Sequence, residues 1–166
     1  MNLTPFRGLA RIGLAGWMLI SVAGFSGCGA GVQAPPEEFL VSAGGKVLVD
    51  GKPAGGVRIR LNPINDTKSV GGAWAVTKED GTFNVMHWTN KEGIAAGSYM
   101  ATFSKYVKPD GSPLGENESP AMVNAKELIA PTWSSPTPDR MAETMRRVDI
   151  PEGGKSDLEF KITGSK

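Results

Sequence analysis

The stretch that decides the fold begins at residue 45 and reads GKVLVDGKPAGGVRIRLNP, ending at residue 63. Residues 57–62 alternate apolar and polar side chains, which predicts a strand with one buried and one solvent-facing side. Asp50-Gly51 follows the apolar run at 45–49, and this dipeptide between apolar runs is a strong signal for a tight turn between strands. The stretch therefore predicts antiparallel β structure.

Further segments downstream alternate in the same manner and are bounded by Gly, Pro, Asn or Asp. Short strands with turns at this spacing are typical of a β-sandwich. We therefore expect an all-β protein with a single seven-stranded antiparallel β-sandwich. The seven predicted strands cover residues 45–49, 57–62, 72–78, 82–87, 98–104, 147–150 and 157–162.

The segments between these strands carry weaker signals. Residues 105–130 are rich in Pro, Gly, Asn and Glu and are predicted as a long loop with a helical turn over 121–128. Residues 139–146 are predicted as a short helix, because Asp139 can cap it. Asp-Gly recurs at residues 50, 80 and 110, but the flanking residues agree at few positions. We interpret this recurrence as independent turns and not as an internal repeat.

Composition excludes several classes of site. The chain has 166 residues, a net charge of +1, one His and one Cys. This length predicts one domain, and the near-neutral charge argues against a nucleic-acid binder. A single Cys excludes an internal disulfide and a multi-Cys zinc site, and a single His excludes any site that needs two. We expect no metal and no cofactor.

The N-terminal residues have the pattern of a secretory signal. Arg7 and Arg11 precede 14 residues, 12–25, that are uncharged and mostly apolar, and small residues follow. A membrane span needs roughly 20 apolar residues, so this run is too short for one. We expect a signal-peptide helix, separate from the sandwich, over residues 9–23.

Residues 25–28, Phe-Ser-Gly-Cys, resemble a bacterial lipobox, with Phe25 where the usual motif has Leu. The resemblance implies that Cys28 receives a diacylglycerol and becomes the mature N-terminus, since two or three acyl chains give stable anchoring. The alternatives are an ordinary signal peptide cut near Ala30 and a retained membrane helix.

The domain organisation follows from this cleavage. We expect a lipoprotein signal peptide at 1–27, a lipid-anchored flexible tether at 28–38 and the sandwich at 39–166. Removing 1–27 takes away two Arg and no acid, so 18 basic residues become 16 against 17 acidic ones, a net charge of −1. A near-neutral body does not adhere to a membrane by charge, so the lipid must hold it there. The expected location is the bacterial cell envelope, facing the periplasm or the exterior.

The order of motifs from residue 45 to 104 resembles the carboxypeptidase regulatory-like, transthyretin-like β-sandwich. The chain is also similar to small lipoproteins of this fold in planctomycete-type bacteria, with Trp133 where that family tends to have Tyr. The resemblance implies a scaffold, and fold alone does not give function. The matching positions are Gly45, Val47, Asp50, Gly51, Pro53, Val57 to Leu61, Thr77, Asp80, Gly81, Phe83, Gly97, Tyr99 and Ala101, the last replacing the usual Val.

Candidate chemistry is sparse. His87 ends a predicted strand, and no nucleophile-elbow context surrounds any Ser, so we predict no catalytic residue. Enzymes of related folds, the hydroxyisourate hydrolases and the intradiol dioxygenases, need more than one His. Asp110, Glu116 and Glu118 supply oxygens, but their spacing matches no known calcium loop, and we interpret them as solvated loop acids.

Three tryptophans remain. An exposed Trp ring can stack on a sugar and bury a large amphipathic area. Trp88 and Trp133 are the possible ligand-facing aromatics, whereas we interpret Trp74 as core or loop packing. We expect a non-catalytic, lipid-anchored structural or protein-interaction module, with a glycan-binding module of the envelope as the alternative. The expected partners are the membrane through the lipid and an envelope protein or glycan, with no nucleic acid.

Overall fold

The computed structural model describes residues 38–64, 67, 69, 71–115, 117–135 and 140–166, the side chains of residues 140–142 excepted. The fold is all-β and sandwich-like, as predicted. Cys28 and the helix expected at 9–23 lie outside the described residues. In chain order the strands are β1 (Leu40–Val41), β2 (Ala43–Val49), β3 (Lys52–Pro53), β4 (Arg58–Pro63), β5 (Ala73–Val76), β6 (Thr82–Asn84), β7 (Met86–His87), β8 (Ile94–Ala95), β9 (Gly97–Ser104), β10 (Tyr106–Val107), β11 (Lys126–Glu127), β12 (Arg147–Ile150) and β13 (Lys155–Ile162).

One layer of the sandwich is a five-stranded sheet in the order β12-β9-β4-β5-β7. All of its neighbouring strands are antiparallel. Each predicted strand is present in the structure, and the segment at 82–87 is divided between β6 and β7. These two short strands belong to different sheets, so the chain passes from one layer to the other at Val85.

The second layer is a four-stranded sheet in which β2 pairs with β13 on one side and with β3 and β6 on the other. The β2–β13 pairing is parallel, with Gly45 opposite Leu158 and Val49 opposite Ile162. The prediction of purely antiparallel strands is therefore wrong for this pair. Alternation of side chains shows which face of a strand is buried, but it carries no information about strand direction.

The segment at 105–130 is closed by the two-stranded β10–β11 pair, and Leu128 N donates to Lys105 O. The predicted helical turn over 121–128 is wrong, because a turn at 120–124 leads directly into β11. Asn124 has a positive φ of 49°, which stops a right-handed helix at this point. The short helix α2 (Arg140–Arg146) is present, and α1 (Pro131–Ser134), with Pro at its start, was not predicted.

Aromatic rings connect the two layers through the core. Phe83 and Phe160 of the four-stranded sheet lie 6.0 Å apart, and Phe160 meets Phe103 of the facing sheet edge-on at 4.9 Å. Phe103 in turn meets Trp133 of α1 at 6.3 Å. Such edge-to-face pairs add to the free energy gained by burying the rings. The chain of rings therefore ties α1 and both sheets into one core.

Arg146 is fully buried at the end of α2. Its Nε donates to Ala101 O at 2.7 Å and its Nη1 to Thr132 O at 3.2 Å, so it joins α2 to β9 and α1. Among the described residues, its Nη2 has no hydrogen-bond partner. Burial lowers the pKa of this guanidinium, since a charge is less stable away from water.

Two of the three Asp-Gly turns have the same construction. In KEDGT, residues 78–82, Asp80 Oδ1 accepts from the backbone N and the hydroxyl of Thr82. In KPDGS, residues 108–112, Asp110 Oδ1 accepts the same two bonds from Ser112. The turn at Asp50 differs, because Asp50 and Gly51 both have positive φ.

Across the described part of the chain, no helix has the length and apolarity to cross a membrane.

Candidate functional site

The outer face of the five-stranded sheet exposes two tryptophans and two arginines. Ala73 and Ala75 of β5 point into the core, so Trp74 lies outside and is 41% exposed. The interpretation of Trp74 as a core residue is therefore wrong. The reason is the register with β4, which places Trp74 opposite Arg60 and Val76 opposite Arg58. Because the arginines face water, their neighbours in register face water too.

Arg58 and Arg60 are two residues apart on β4 and point to the same side. Among the residues that the structure describes, neither guanidinium has an ion pair or a hydrogen bond. Thr102 of β9 lies opposite Arg60 on the other side of β4, and Met86 of β7 lies opposite Trp74. A row of polar, cationic and aromatic side chains therefore crosses the sheet.

Trp88 closes one end of this face and is 44% exposed. A Cβ added at Gly71 would overlap the indole ring, so the ring lies directly over the backbone of that glycine. Trp88 N donates to Gly72 O at 3.1 Å, and the His87 ring lies 5.6 Å from the indole. These contacts fix the ring as an exposed platform, whereas its contact with a ligand stays a prediction.

Trp133, the other predicted ligand-facing aromatic, is only 5% exposed and belongs to the core. Its Nε1 donates to Thr163 Oγ1 at 3.0 Å. The prediction for Trp133 is wrong, because the short helix α1 turns the ring inward against Phe103. Loop composition gave no sign of that helix.

Two concavities of about 710 and 540 Å³ lie on the exposed face, and both are open to solvent. Among the described residues, no Asp or Glu lines either one. The first extends to the segment at 105–130, and the second is bordered by the two tryptophans. We call this continuous surface the outer-face groove, defined by Arg58, Arg60, Trp74, Val76, Trp88 and Tyr106.

A separate polar cluster surrounds His87, which is 3% exposed. Its Nε2 lies 3.4 Å from Glu38 Oε2, and Ser69 Oγ donates to the same carboxylate oxygen at 2.9 Å. Its Nδ1 lies 2.8 Å from Thr89 Oγ1. The sequence did not predict that an acid and two hydroxyls would gather at this His.

The geometry of this cluster is that of a structural link. The Ser69 hydroxyl donates to the Glu38 carboxylate and not to the imidazole. The His87 ring is therefore not placed to accept the proton of that hydroxyl. Thr89 is two residues from His87 in the same turn, and within the described ranges the His87 Nε2 has no hydrogen bond of good geometry. Neither concavity of the outer face includes His87. The cluster attaches residue 38 to the end of β7.

The loop acids are accounted for by local partners. The hydrogen bond from Ser112 lowers the pKa of Asp110, and the bond from Lys108 lowers the pKa of Glu118. Glu118 lies 2.8 Å from Lys108 Nζ. Glu116 lies outside the described residues, and within the described ranges no three His, Cys, Asp or Glu side chains gather to hold a metal.

The alternation along residues 57–62 predicts that Arg58 and Arg60 face solvent, but it does not identify them as site residues. The sequence does contain a signal for this site, because the predicted strand with Arg58 and Arg60 is followed by a predicted strand that contains Trp74. Comparison with protein-family models, with curated proteins and with solved structures finds no match for this chain. The geometry of the outer-face groove is therefore the basis for a proposed function.

Proposed function

We propose that this protein is a non-catalytic, lipid-anchored module of the bacterial cell envelope that binds a partner through the outer-face groove. The observation that carries the proposal is the joint exposure of Trp74 and Trp88 beside Arg58 and Arg60. Large contiguous apolar patches at the surface of a folded domain commonly mark binding sites. Arginines without a carboxylate partner on the same face add a charge that a partner can neutralise.

The anchor in this proposal is a diacylglyceryl group on Cys28. The tether at 28–38 follows it, and a relaxed chain of about ten residues spans roughly 15–20 Å. Glu38 contacts His87 and Ser69, and β1 pairs with β8, so the tether ends at a firmly attached point of the sandwich. The module then belongs to the carboxypeptidase regulatory-like lipoproteins and acts close to the membrane.

The partner in the first form of the proposal is an envelope protein, and the module has a structural or protein-interaction role. A glycan of the envelope is the second candidate. The observation that favours it is the fixed, exposed ring of Trp88, whose position over Gly71 leaves an open face for a sugar.

Co-sedimentation with cell-envelope fragments tests the proposal. The full-length protein in detergent is mixed with lipid-extracted fragments, and the fraction that sediments is measured. A variant carrying Trp74→Ala and Trp88→Ala should lose most of the bound fraction. Phe39→Ala is the matched control, since Phe39 is 83% exposed but does not line the groove. Equal binding by both variants would refute a role for the groove.

A further inference from the structure

We infer that the outer-face groove binds a carboxylate-bearing oligosaccharide, with Arg58 and Arg60 receiving carboxylates and Trp74 and Trp88 stacking on sugar rings. This inference rests on the second form of the proposed function, in which the partner is an envelope glycan, because it names the ligand class of the same face. It follows from the charge of the groove, the spacing of its side chains and the way its backbone is already paired.

The charge of the groove selects an anion. Both concavities contain Arg58 and Arg60, and no described Asp or Glu lines either of them. The guanidinium groups make no ion pair within the described residues, so their donors face the groove. Arginine presents a planar fork that matches a carboxylate with two parallel hydrogen bonds. The whole chain has a net charge of only +1, so this cationic surface is local and not a property of the whole molecule.

The spacing of Arg58 and Arg60 favours an extended ligand that carries more than one negative charge. Side chains two residues apart on one strand lie about 6.7 Å apart, which is the expected separation of Arg58 and Arg60 along β4. Each arginine has a different neighbour in register, Val76 for Arg58 and Trp74 for Arg60. A chain of acidic rings that runs along β4 would therefore meet the two guanidinium groups in turn, with an apolar side chain of β5 beside each of them.

The exposed indole rings of Trp74 and Trp88 favour a ligand that contains sugar rings. Trp88 lies on the backbone at Gly71, and Trp74 stands next to Arg60. A sugar ring has an apolar face of C–H groups and a rim of hydroxyls, so it covers an indole and hydrogen-bonds to neighbouring polar side chains. Asn62, Thr102 and Ser104 line the same groove and supply those polar groups.

The pairing of the backbone disfavours an extended peptide. β4 is hydrogen-bonded to β5 on one side and to β9 on the other, so the centre of the face offers no free backbone groups for an added strand. Peptides that bind sheets in extended form add to an edge, where such groups are free. The groove lies across the face and not along an edge.

The direct test compares two polymers that share a backbone. Polygalacturonate carries a carboxylate on each ring, and its fully methyl-esterified form has the same rings without the charge. Binding to the full-length protein in detergent is followed by tryptophan fluorescence. We expect polygalacturonate to bind at least about tenfold more tightly, the effect of one charge-assisted contact of about 1.4 kcal/mol. Added salt should weaken this binding. This comparison uses the unaltered chain and does not depend on the folding of a variant.

Single variants then locate the site. Arg58→Gln and Arg60→Gln should each weaken polygalacturonate binding about tenfold. Arg147→Gln is the matched control, because Arg147 lies on the same sheet but is already paired with Asp149 and Ser98, and it should change binding less than about twofold. Gly71→Ala keeps every groove side chain but displaces the Trp88 ring, and it should weaken binding of the polymer.

Three results would overturn the inference. Equal affinity for the esterified polymer would show that charge is not recognised. Equal, arginine-dependent binding of poly-glutamate would assign the groove to acidic peptides. Absence of binding to all three polymers would exclude an acidic carbohydrate. In each case, the proposed function would still hold if the protein continued to co-sediment with envelope fragments through the groove. Failure of this inference can therefore be distinguished from failure of the proposed function.

Discussion

At the scale of single residues, the two faces of the five-stranded sheet give tryptophan opposite roles. Trp133 packs edge-on against Phe103 and donates to Thr163, whereas Trp88 lies at the surface over Gly71. The sequence does not distinguish the two, since Trp88 follows a predicted strand, Trp133 follows a predicted loop, and neither position determines which way the ring points. Only the packing of α1 onto the core separates them, and that packing has no local signal.

The stability of tryptophan variants should divide in the same way. Trp133→Ala should lower the free energy of unfolding by about 3–5 kcal/mol, the range for a buried aromatic side chain. Trp88→Ala should change it by less than about 1 kcal/mol, because the ring is half exposed. Equilibrium denaturation of the two variants beside the unaltered protein measures both values. Similar losses would contradict the assignment of core and surface.

A second residue-scale prediction concerns the close approach of β2 and β13. A Cβ at Gly45 would overlap the carbonyl oxygen of Leu158, which is backbone and cannot rotate away. Gly45→Ala should therefore destabilise the fold by more than about 2 kcal/mol. Gly153→Ala is the control, since a Cβ there meets nothing within 4 Å, and it should be nearly neutral. A mild effect at Gly45 would argue against the parallel β2–β13 register.

At the scale of elements, strands were predictable and their partners were not. Alternation placed Ile59 and Leu61 in the core, and the structure confirms both. It left open whether Trp74 or Ala75 faces inward, because both are apolar, and only the register with Arg60 decides this. The short pairs β1–β8 and β10–β11 have two residues per strand, which is too few for a periodic pattern. The centre of the groove is formed by β4 and β5 in register. Alternation along one strand could show which of its side chains share a face, but not which side chains of the two strands lie side by side.

The repeated turns at 78–82 and 108–112 predict acid sensitivity. Hydrogen bonds from Thr82 lower the pKa of Asp80, and those from Ser112 lower the pKa of Asp110, from an ordinary value of 3.8. A carboxylate with a lowered folded pKa stabilises the protein above its unfolded pKa, and this contribution is lost as pH falls through the folded pKa. The free energy of unfolding should therefore decline as pH falls below about 4.

Denaturation curves recorded between pH 6 and pH 2.5 measure this decline. Asp80→Asn keeps an oxygen acceptor but does not titrate, so its curve should be flatter in this range than that of the unaltered protein. Glu152→Gln, at an exposed turn, serves as the control and should follow the unaltered curve. If the free energy of unfolding of Asp80→Asn fell with pH as steeply as that of the unaltered protein, the turn at 78–82 would not contribute to the acid sensitivity.

At the scale of the whole molecule, the proposed lipid anchor at Cys28 precedes a sandwich that carries the proposed binding face. Mass spectrometry of the mature protein from a bacterial membrane should find an N-terminal Cys28 carrying a diacylglyceryl group. Cys28→Ser should abolish the modification and release the protein from the membrane fraction, since the body has no excess of basic residues to hold it. An unmodified N-terminus at residue 30 or beyond would contradict the anchor.

Oxidative footprinting in the native envelope tests the binding face without any variant. Hydroxyl radicals modify exposed Trp and Met side chains, and mass spectrometry then reads each position in intact envelopes and in the purified protein. We predict that Trp74 and Trp88 are strongly protected in the envelope, whereas Met122, which is 84% exposed and outside the groove, is oxidised equally in both samples. Equal oxidation of the two tryptophans in both samples would mean that nothing covers the outer-face groove, and would contradict the account.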